Sequence, residues 1–265
     1  MIALIAWTLR QRRTSFIWWC VGIVAFISLE LSVYSSIKGQ AAQLDKALKQ
    51  LPDTFRALFG AQDLFSPVGY LNSRIFYLLL PLMLSVLAIG LGSSLIAREE
   101  SDGTLELILS RPVSRGKLIA SRAAAGLIIV CGVGLVSALA IALWAKIVGL
   151  DVPLPSIMFA TLLSVILALL FGAIAYAAAS MGRFGRGSAI ALASLIGLGG
   201  YIVSSLESNV HWLSWPAKVL PYHYYNPSNI LMGNYSWAVA LIYCLITGAL
   251  VTIGWLAFRR RDVEG

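Results

Sequence analysis

Charge is scarce in this chain. Only 12% of its 265 residues are Asp, Glu, Lys or Arg, while 59% are hydrophobic and the mean hydropathy is +0.83. A soluble domain carries about twice that share of charge. So much apolar surface cannot be hidden in one globular core, which excludes an ordinary soluble domain and points to a multi-span membrane protein. Cysteine is also scarce. Cys20, Cys131 and Cys244 each fall in an apolar run and form no C-x-x-C pair, so they read as buried free thiols rather than a disulfide framework or a metal site. The two histidines, His211 and His223, stand twelve residues apart without an H-E-x-x-H, and a zinc site is not expected.

Two functional signatures are missing as well. No G-x-x-x-x-G-K-[ST] occurs, so the chain cannot cradle ATP phosphates through the usual loop. No G-x-S-x-G occurs, which removes the nucleophile elbow an intramembrane hydrolase would use. "GRFGRG" (Gly182–Gly187) is glycine-rich and basic, but it falls between two apolar runs and reads as a turn. The net charge of +8 then concerns orientation and lipid headgroups rather than nucleic acid.

What is present is a series of long apolar runs. A helix needs about 20 mostly apolar residues to cross the hydrocarbon layer. Six segments qualify, roughly 15–37, 75–97, 119–145, 156–181, 188–206 and 237–258. The fold class is all-α, a single transmembrane domain over 1–265 with both termini on one side. Arg10, Arg12 and Arg13 precede the first span with no clear cleavage pattern, so that span is expected to be retained. Of the twenty Lys and Arg, thirteen flank one side of the spans and seven the other. The positive-inside rule puts the richer side, with both termini, in the cytoplasm. The expected location is the cytoplasmic (plasma or inner) membrane.

Two outer loops have patterns of their own. In "AAQLDKALKQLPDTFRALFG", Leu44, Leu48, Leu51, Phe55 and Leu58 recur at helical spacing among charges, as in a helix lying along an interface, with Pro52 dividing it. The loop 207–236 concentrates Trp212, Trp215, Tyr222, Tyr224, Tyr225 and Tyr235 before Trp237 opens the last span. This reads either as an aromatic belt at headgroup depth or as a partly re-entrant hairpin, which would need its backbone polar groups buried in protein. "GAIAYAAAS" (Gly172–Ser180) and "GLGG" (Gly197–Gly200) would let helix backbones approach closely, within one subunit or between two. Glu30 is the one carboxylate inside an apolar span, a costly placement that fits either an interfacial residue partnered by Arg74 or a residue lining a pathway.

One short stretch departs from all this. "REESDGTLELILSRPVSRGK" (Arg98–Lys117) holds eight charged residues in twenty. Asp102 or Thr104 can cap a helix start, with Gly103 allowing the turn. Leu105, Ile108 and Leu109 form a stripe at i, i+3 and i+4, with Glu106 off it, and Pro112 stops the helix. A helix over Thr104–Ser110 is about 10 Å long, marginal alone in water, and needs a docking surface. Its own bilayer would serve.

The stretch is also similar to the cytoplasmic loop of type 2 ABC exporter permeases, which carry an E-E-x-x-G-T-L-E-x-L-L-S-x-P-V-S-R run. Glu99, Glu100, Gly103, Thr104, Leu105, Glu106, Leu109, Ser110, Pro112, Val113, Ser114 and Arg115 occupy the matching places. Ile108 replaces a usual Leu, and Arg122 stands where Lys is common. "GYLNSRIFYLLLPLML" (Gly69–Leu84) and "FRRRD" (Phe258–Asp262) resemble the family too. The resemblance implies a coupling helix in this loop that sits in a groove of a separate ABC ATPase. Leu105, Ile108 and Leu109 would dock, and Glu99, Glu100, Glu106, Arg111 and Arg115 would orient. "MIALIAWTLRQRR" would be an interfacial connecting helix over 1–13, with Ile2, Ile5 and Leu9 on its apolar face.

The resemblance further implies a second permease, expected to be a second copy, and a dimer of ATPase subunits that bind ATP and Mg, leaving this chain without a cofactor. The expected activity is export of an amphipathic or hydrophobic, drug-like compound. Lipid or glycolipid export by the same machinery is the alternative. A self-contained secondary transporter is the alternative from another class, and an intramembrane enzyme stands third.

Overall fold

The computed structural model describes residues 1–37, 52, 54, 66–95, 115–182 and 185–260. It is 87% helical, with no strand among the described residues. Six helices are long and apolar enough to cross a membrane. They are α1 (Ile2–Ile37), α2 (Pro67–Ser94), α3 (Arg115–Val148), α4 (Leu154–Ser180), α5 (Arg186–Leu206) and α6 (Trp237–Arg260). Runs this apolar form helices because in hydrocarbon a backbone polar group has no partner outside its own chain.

α4 is the hub, with α2, α6, α5 and α3 packed around it, while α1 lies along α3. The apolar stretch of α4 is 78% buried, against 17% for α1 and for α6. The small residues account for this. A Cβ added at Gly172 would stand 2.9 Å from the Ala88 carbonyl oxygen, and one at Gly92 would collide with the Gly172 carbonyl. α2 and α4 therefore cross backbone to backbone. Gly254 of α6 leaves the space taken by the Tyr176 ring, and Gly197 and Gly200 of α5 lie against Phe171 and against Leu220 and Tyr222. Both small-residue runs thus serve packing within one subunit. The buried hydroxyls of Ser137, Thr161, Ser164 and Ser180 bond to carbonyls four residues back on their own helices, which removes the cost of leaving them unpaired.

Two boundaries differ from the sequence reading. The segment over 1–13, expected as a separate interfacial helix, is the start of α1, which runs unbroken from Ile2 to Ile37. No Gly or Pro precedes Gly22, so nothing interrupts the helical hydrogen bonds between the segment and the span. α2 begins at Pro67 rather than near 75, with Ser66 capping it by accepting the Gly69 amide at 3.0 Å.

α2 is also discontinuous. Asn72–Phe76 is a π turn, closed by the Tyr77 amide donating to the Asn72 carbonyl at 2.7 Å. The α-helix resumes only at Leu79. Pro81 supplies the reason: it has no amide for the Tyr77 carbonyl and its ring crowds that position.

Just past the end of α4, Gly182 stands at φ +70°, where a Cβ would be strained, and α5 begins at Arg186. The amphipathic segment carrying Leu44, Leu48, Leu51, Phe55 and Leu58 lies outside the described residues.

Loop 207–236 folds into four short helices, His211–Leu213, Ser214–Ala217, Pro221–Tyr224 and Pro227–Leu231. Trp212, Trp215 and Tyr224 are exposed, whereas Tyr222, Tyr225, Ile230 and Leu231 are buried. Tyr225 reaches Ser164, ten residues into α4 and so about 15 Å from its start. The loop thus has two faces, an exposed aromatic one and one buried against α2, α4 and α5.

Candidate functional site

The segment expected to dock on an ATPase, Glu99, Glu100, Gly103, Thr104, Leu105, Glu106, Ile108, Leu109 and Arg111, lies outside the described residues. Arg115 opens α3. What the structure shows is how the two roots of that segment are held. A helix leaves its last carbonyls unpaired and carries partial negative charge at that end. At the end of α2, Arg122 of α3, 6% exposed, donates from Nη1 to the Leu95 carbonyl at 2.9 Å. Arg12 of α1 donates from Nη2 to Ser94 Oγ at 3.1 Å, and Ser94 donates onward to the Leu91 carbonyl. At the start of α3, the Trp255 indole of α6 donates to the Gly116 carbonyl at 3.3 Å, and the Arg259 guanidinium sits 4.6 Å over the Trp255 ring. α1 and α3 thus hold the end of α2, and α6 holds the start of α3. Sequence reasoning counted Arg12 and Arg259 only as charges, and marked Arg122 beyond its charge only as a position where the family commonly has Lys. A basic residue inside an apolar run, as Arg122 is, was the available signal.

Beside these roots is an apolar cleft of about 610 Å³ between α2, α3, α4 and α6. Ala124, Leu91, Tyr176, Gly248 and Trp255 are among the residues that line it. Small side chains on α3 and α6 leave the space open.

A second cavity, also about 610 Å³, lies at the opposite end, where the 207–236 loop meets α2 and α5. In the expected orientation this is the outer end. Tyr77, Tyr201, Tyr222 and Tyr225 line it, with successive ring centroids 5.8, 5.7 and 5.9 Å apart. Tyr77 donates to Ser205 Oγ at 3.0 Å. Tyr225 Oη donates to the Phe76 carbonyl at 2.8 Å and lies 2.7 Å from Ser164 Oγ, so the loop supplies a partner where α2 is interrupted. Burial pushes the phenols of Tyr222 and Tyr225 well above the ordinary range, which keeps them protonated donors. Glu207 Oε2 and His223 Nδ1 are 2.7 Å apart on its wall.

Glu30 is half-buried on α1 and lines neither cavity. Its backbone carbonyl accepts from the Tyr70 phenol at 2.6 Å, and Arg74 lies within electrostatic reach of the same phenol. Cys20, Cys131 and Cys244 are free thiols, but not buried as expected: Cys131 and Cys244 are exposed on the outside of the bundle and Cys20 is half-buried. Among the described residues no three His, Cys, Asp or Glu side chains gather as a metal would require.

Six apolar helices around a small-residue hub, with cavities at both ends, define a multi-pass helical membrane protein. Residues 2–263 match the family model of the ABC-2 family transporter protein, and the chain belongs to that family. It is the membrane permease subunit of an ABC transporter, and the family implies partnership with an ABC ATPase. Its members are membrane-spanning subunits that normally lack catalytic activity of their own. Among curated proteins no sequence matches this chain.

Proposed function

We propose that this permease exports an amphipathic or hydrophobic, drug-like compound across the cytoplasmic membrane. Two copies would pair, with termini in the cytoplasm, on a dimer of ATPase subunits that bind ATP and Mg. Leu105, Ile108 and Leu109 dock in the ATPase groove, and Glu99, Glu100, Glu106, Arg111 and Arg115 orient the docked helix. Glu30 takes an interfacial role beside Tyr70 and Arg74.

The observation that carries the reading is the apolar cleft next to the roots of the coupling segment. Leu95 and Ala120, each close to a root, are part of its wall. Its volume falls in the range of drug-sized ligand sites, about 300–1,000 Å³. A push on the segment reaches α2 through the Arg122 and Arg12 bonds, and reaches α4 through the Gly92–Gly172 crossing. The interruption at Tyr77–Leu78 lets the inner part of α2 answer such a push without carrying the outer part rigidly along.

Ala124→Phe tests this by filling the cleft. The variant, assembled with its ATPase, should keep basal hydrolysis and lose stimulation by amphipathic compounds from a panel. Unchanged stimulation would remove the cleft from the transport path. Lipid or glycolipid export is the second reading, favoured by a lining that is almost wholly apolar. Stimulation by a lipid class alone would select it.

A further inference from the structure

The apolar cleft opens toward the hydrocarbon between α3 and α6. Gly126 and Gly248 line it, and a Cβ on either would meet nothing within 4 Å. Leu127 and Thr252 on the same two walls are exposed. Along α3 the wall runs from Ala120 to Val130, about 15 Å of helix. That is the depth of one leaflet, half of a hydrocarbon layer about 30 Å thick. An apolar cleft open to lipid is not left empty. A void forfeits dispersion contacts, and water would find few polar partners in it.

At its root end the cleft meets a smaller hollow of about 360 Å³, and Ala120 and Trp255 line both. Lys117 and Arg259 line that hollow, and neither has an acidic partner among the described residues. Two cations facing one small space repel each other unless an anion lies between them. Arg259 is held in place there: its guanidinium stacks over Trp255, whose indole donates to the Gly116 carbonyl. Stacking uses the face of the guanidinium and leaves its N–H edge for the forked contact that suits a phosphate. Basic side chains that merely snorkel to the interface would bring the same charges. They would not require a hollow between them that runs on into an apolar cleft.

We infer that the hollow and the cleft together hold one anionic phospholipid of the adjoining leaflet, the cytoplasmic one in the expected orientation. Its phosphate lies between Lys117 and Arg259, as anionic headgroups do in basic pockets between membrane helices. One acyl chain fills the cleft along α3 and α6. A lipid with a quaternary ammonium head gains less, because it brings a further positive charge to a place that already holds two. This site rests on the reading of the cleft as a ligand site given above, and adds what occupies it between transport cycles. A transported amphiphile enters by displacing the lipid.

Full-length chain, assembled with its ATPase, is placed in phosphatidylcholine nanodiscs that carry a trace of one photoreactive lipid. That probe is phosphatidylglycerol or phosphatidylcholine with a diazirine on its acyl chain, and labelled residues are mapped by mass spectrometry. Phosphatidylglycerol should label residues 120–130 and 247–255 several-fold more than phosphatidylcholine does. The exposed α1 positions Ile17 and Trp18, which do not line the cleft, should show no such preference. Lys117→Gln combined with Arg259→Gln should bring phosphatidylglycerol down to the phosphatidylcholine level. Both side chains are exposed, so the bundle stays intact. Ala124→Phe should lower cleft labelling by either lipid. Equal labelling of the cleft by the two lipids, an equal preference at α1, a preference untouched in the double variant, or cleft labelling unmoved by Ala124→Phe would each overturn the lipid site. Selective labelling together with unchanged stimulation of hydrolysis in Ala124→Phe would keep the lipid and remove the cleft from the transport path.

Discussion

The guanidinium of Arg122 caps the end of α2, donating to the Leu95 carbonyl across 27 residues of sequence. Leu95 is the cap residue at the end of α2, where a helix leaves carbonyls to be satisfied from outside. Arg122→Met keeps the apolar stem and removes the donor. A hydrogen bond from a charged group contributes about 1.5–3 kcal/mol, so the variant should melt earlier and hydrolyse ATP with less transport per turnover. Arg122→Lys should recover part of the coupling. Measuring hydrolysis and transport on the same preparation checks this; full coupling in Arg122→Met would detach this bond from the transmission of force.

The crossing of α2 and α4 has an internal control two residues away. Gly92 and Gly172 admit no Cβ, whereas nothing lies within 4 Å of one built at Gly90. Gly92→Ala and Gly172→Ala should each destabilise the bundle by about 1–3 kcal/mol, as overpacking does. Gly90→Ala should be neutral. Thermal stability of the three purified variants decides it, and equal melting would mean the crossing yields freely.

Tyr225 closes the gap in α2 from the loop side. Tyr225→Phe leaves the ring in place but strips the donor from the buried Phe76 carbonyl, a loss of about 1–3 kcal/mol. Tyr224→Phe, on the exposed side of the same turn, should change stability by less than about 0.5 kcal/mol. Limited proteolysis of the loop should be faster in Tyr225→Phe alone. Identical cleavage rates would show that the loop is held by packing without this bond.

The docking role of the charged segment is tested by Leu105→Ala combined with Leu109→Ala. Truncating buried anchors of a small interface costs about 1–2 kcal/mol or more, so the double variant should lose ATPase on co-purification or hydrolyse without transport. Gly103→Val should do the same by resisting the turn that starts the helix. Both should reach the membrane normally, since the changes lie between spans. Retained binding and transport in both would return the helix to the bilayer surface.

The six spans were legible in the sequence because hydropathy is a local average, and any apolar run of about 20 residues meets the same solvent whatever its neighbours. The segment between α2 and α3 stood out for a related reason: its charge pattern contradicts the apolar runs on either side. The close approach at Gly172 could be anticipated from small residues, though not that Ala88 and Gly92 would be the surface they meet. Three features were decided by tertiary structure alone. One is the reach of Tyr225 to the Phe76 carbonyl, a bond between residues 149 apart. The others are the capping of α2 by Arg122 and the burial of Asn72 Oδ1 without a hydrogen-bond partner. Each depends on where helices distant in sequence come to rest, and that is set by the fit of side chains and glycines across interfaces. A hydrogen bond needs its donor and acceptor within a few tenths of an ångström of one distance, a condition that hydropathy along the chain does not encode.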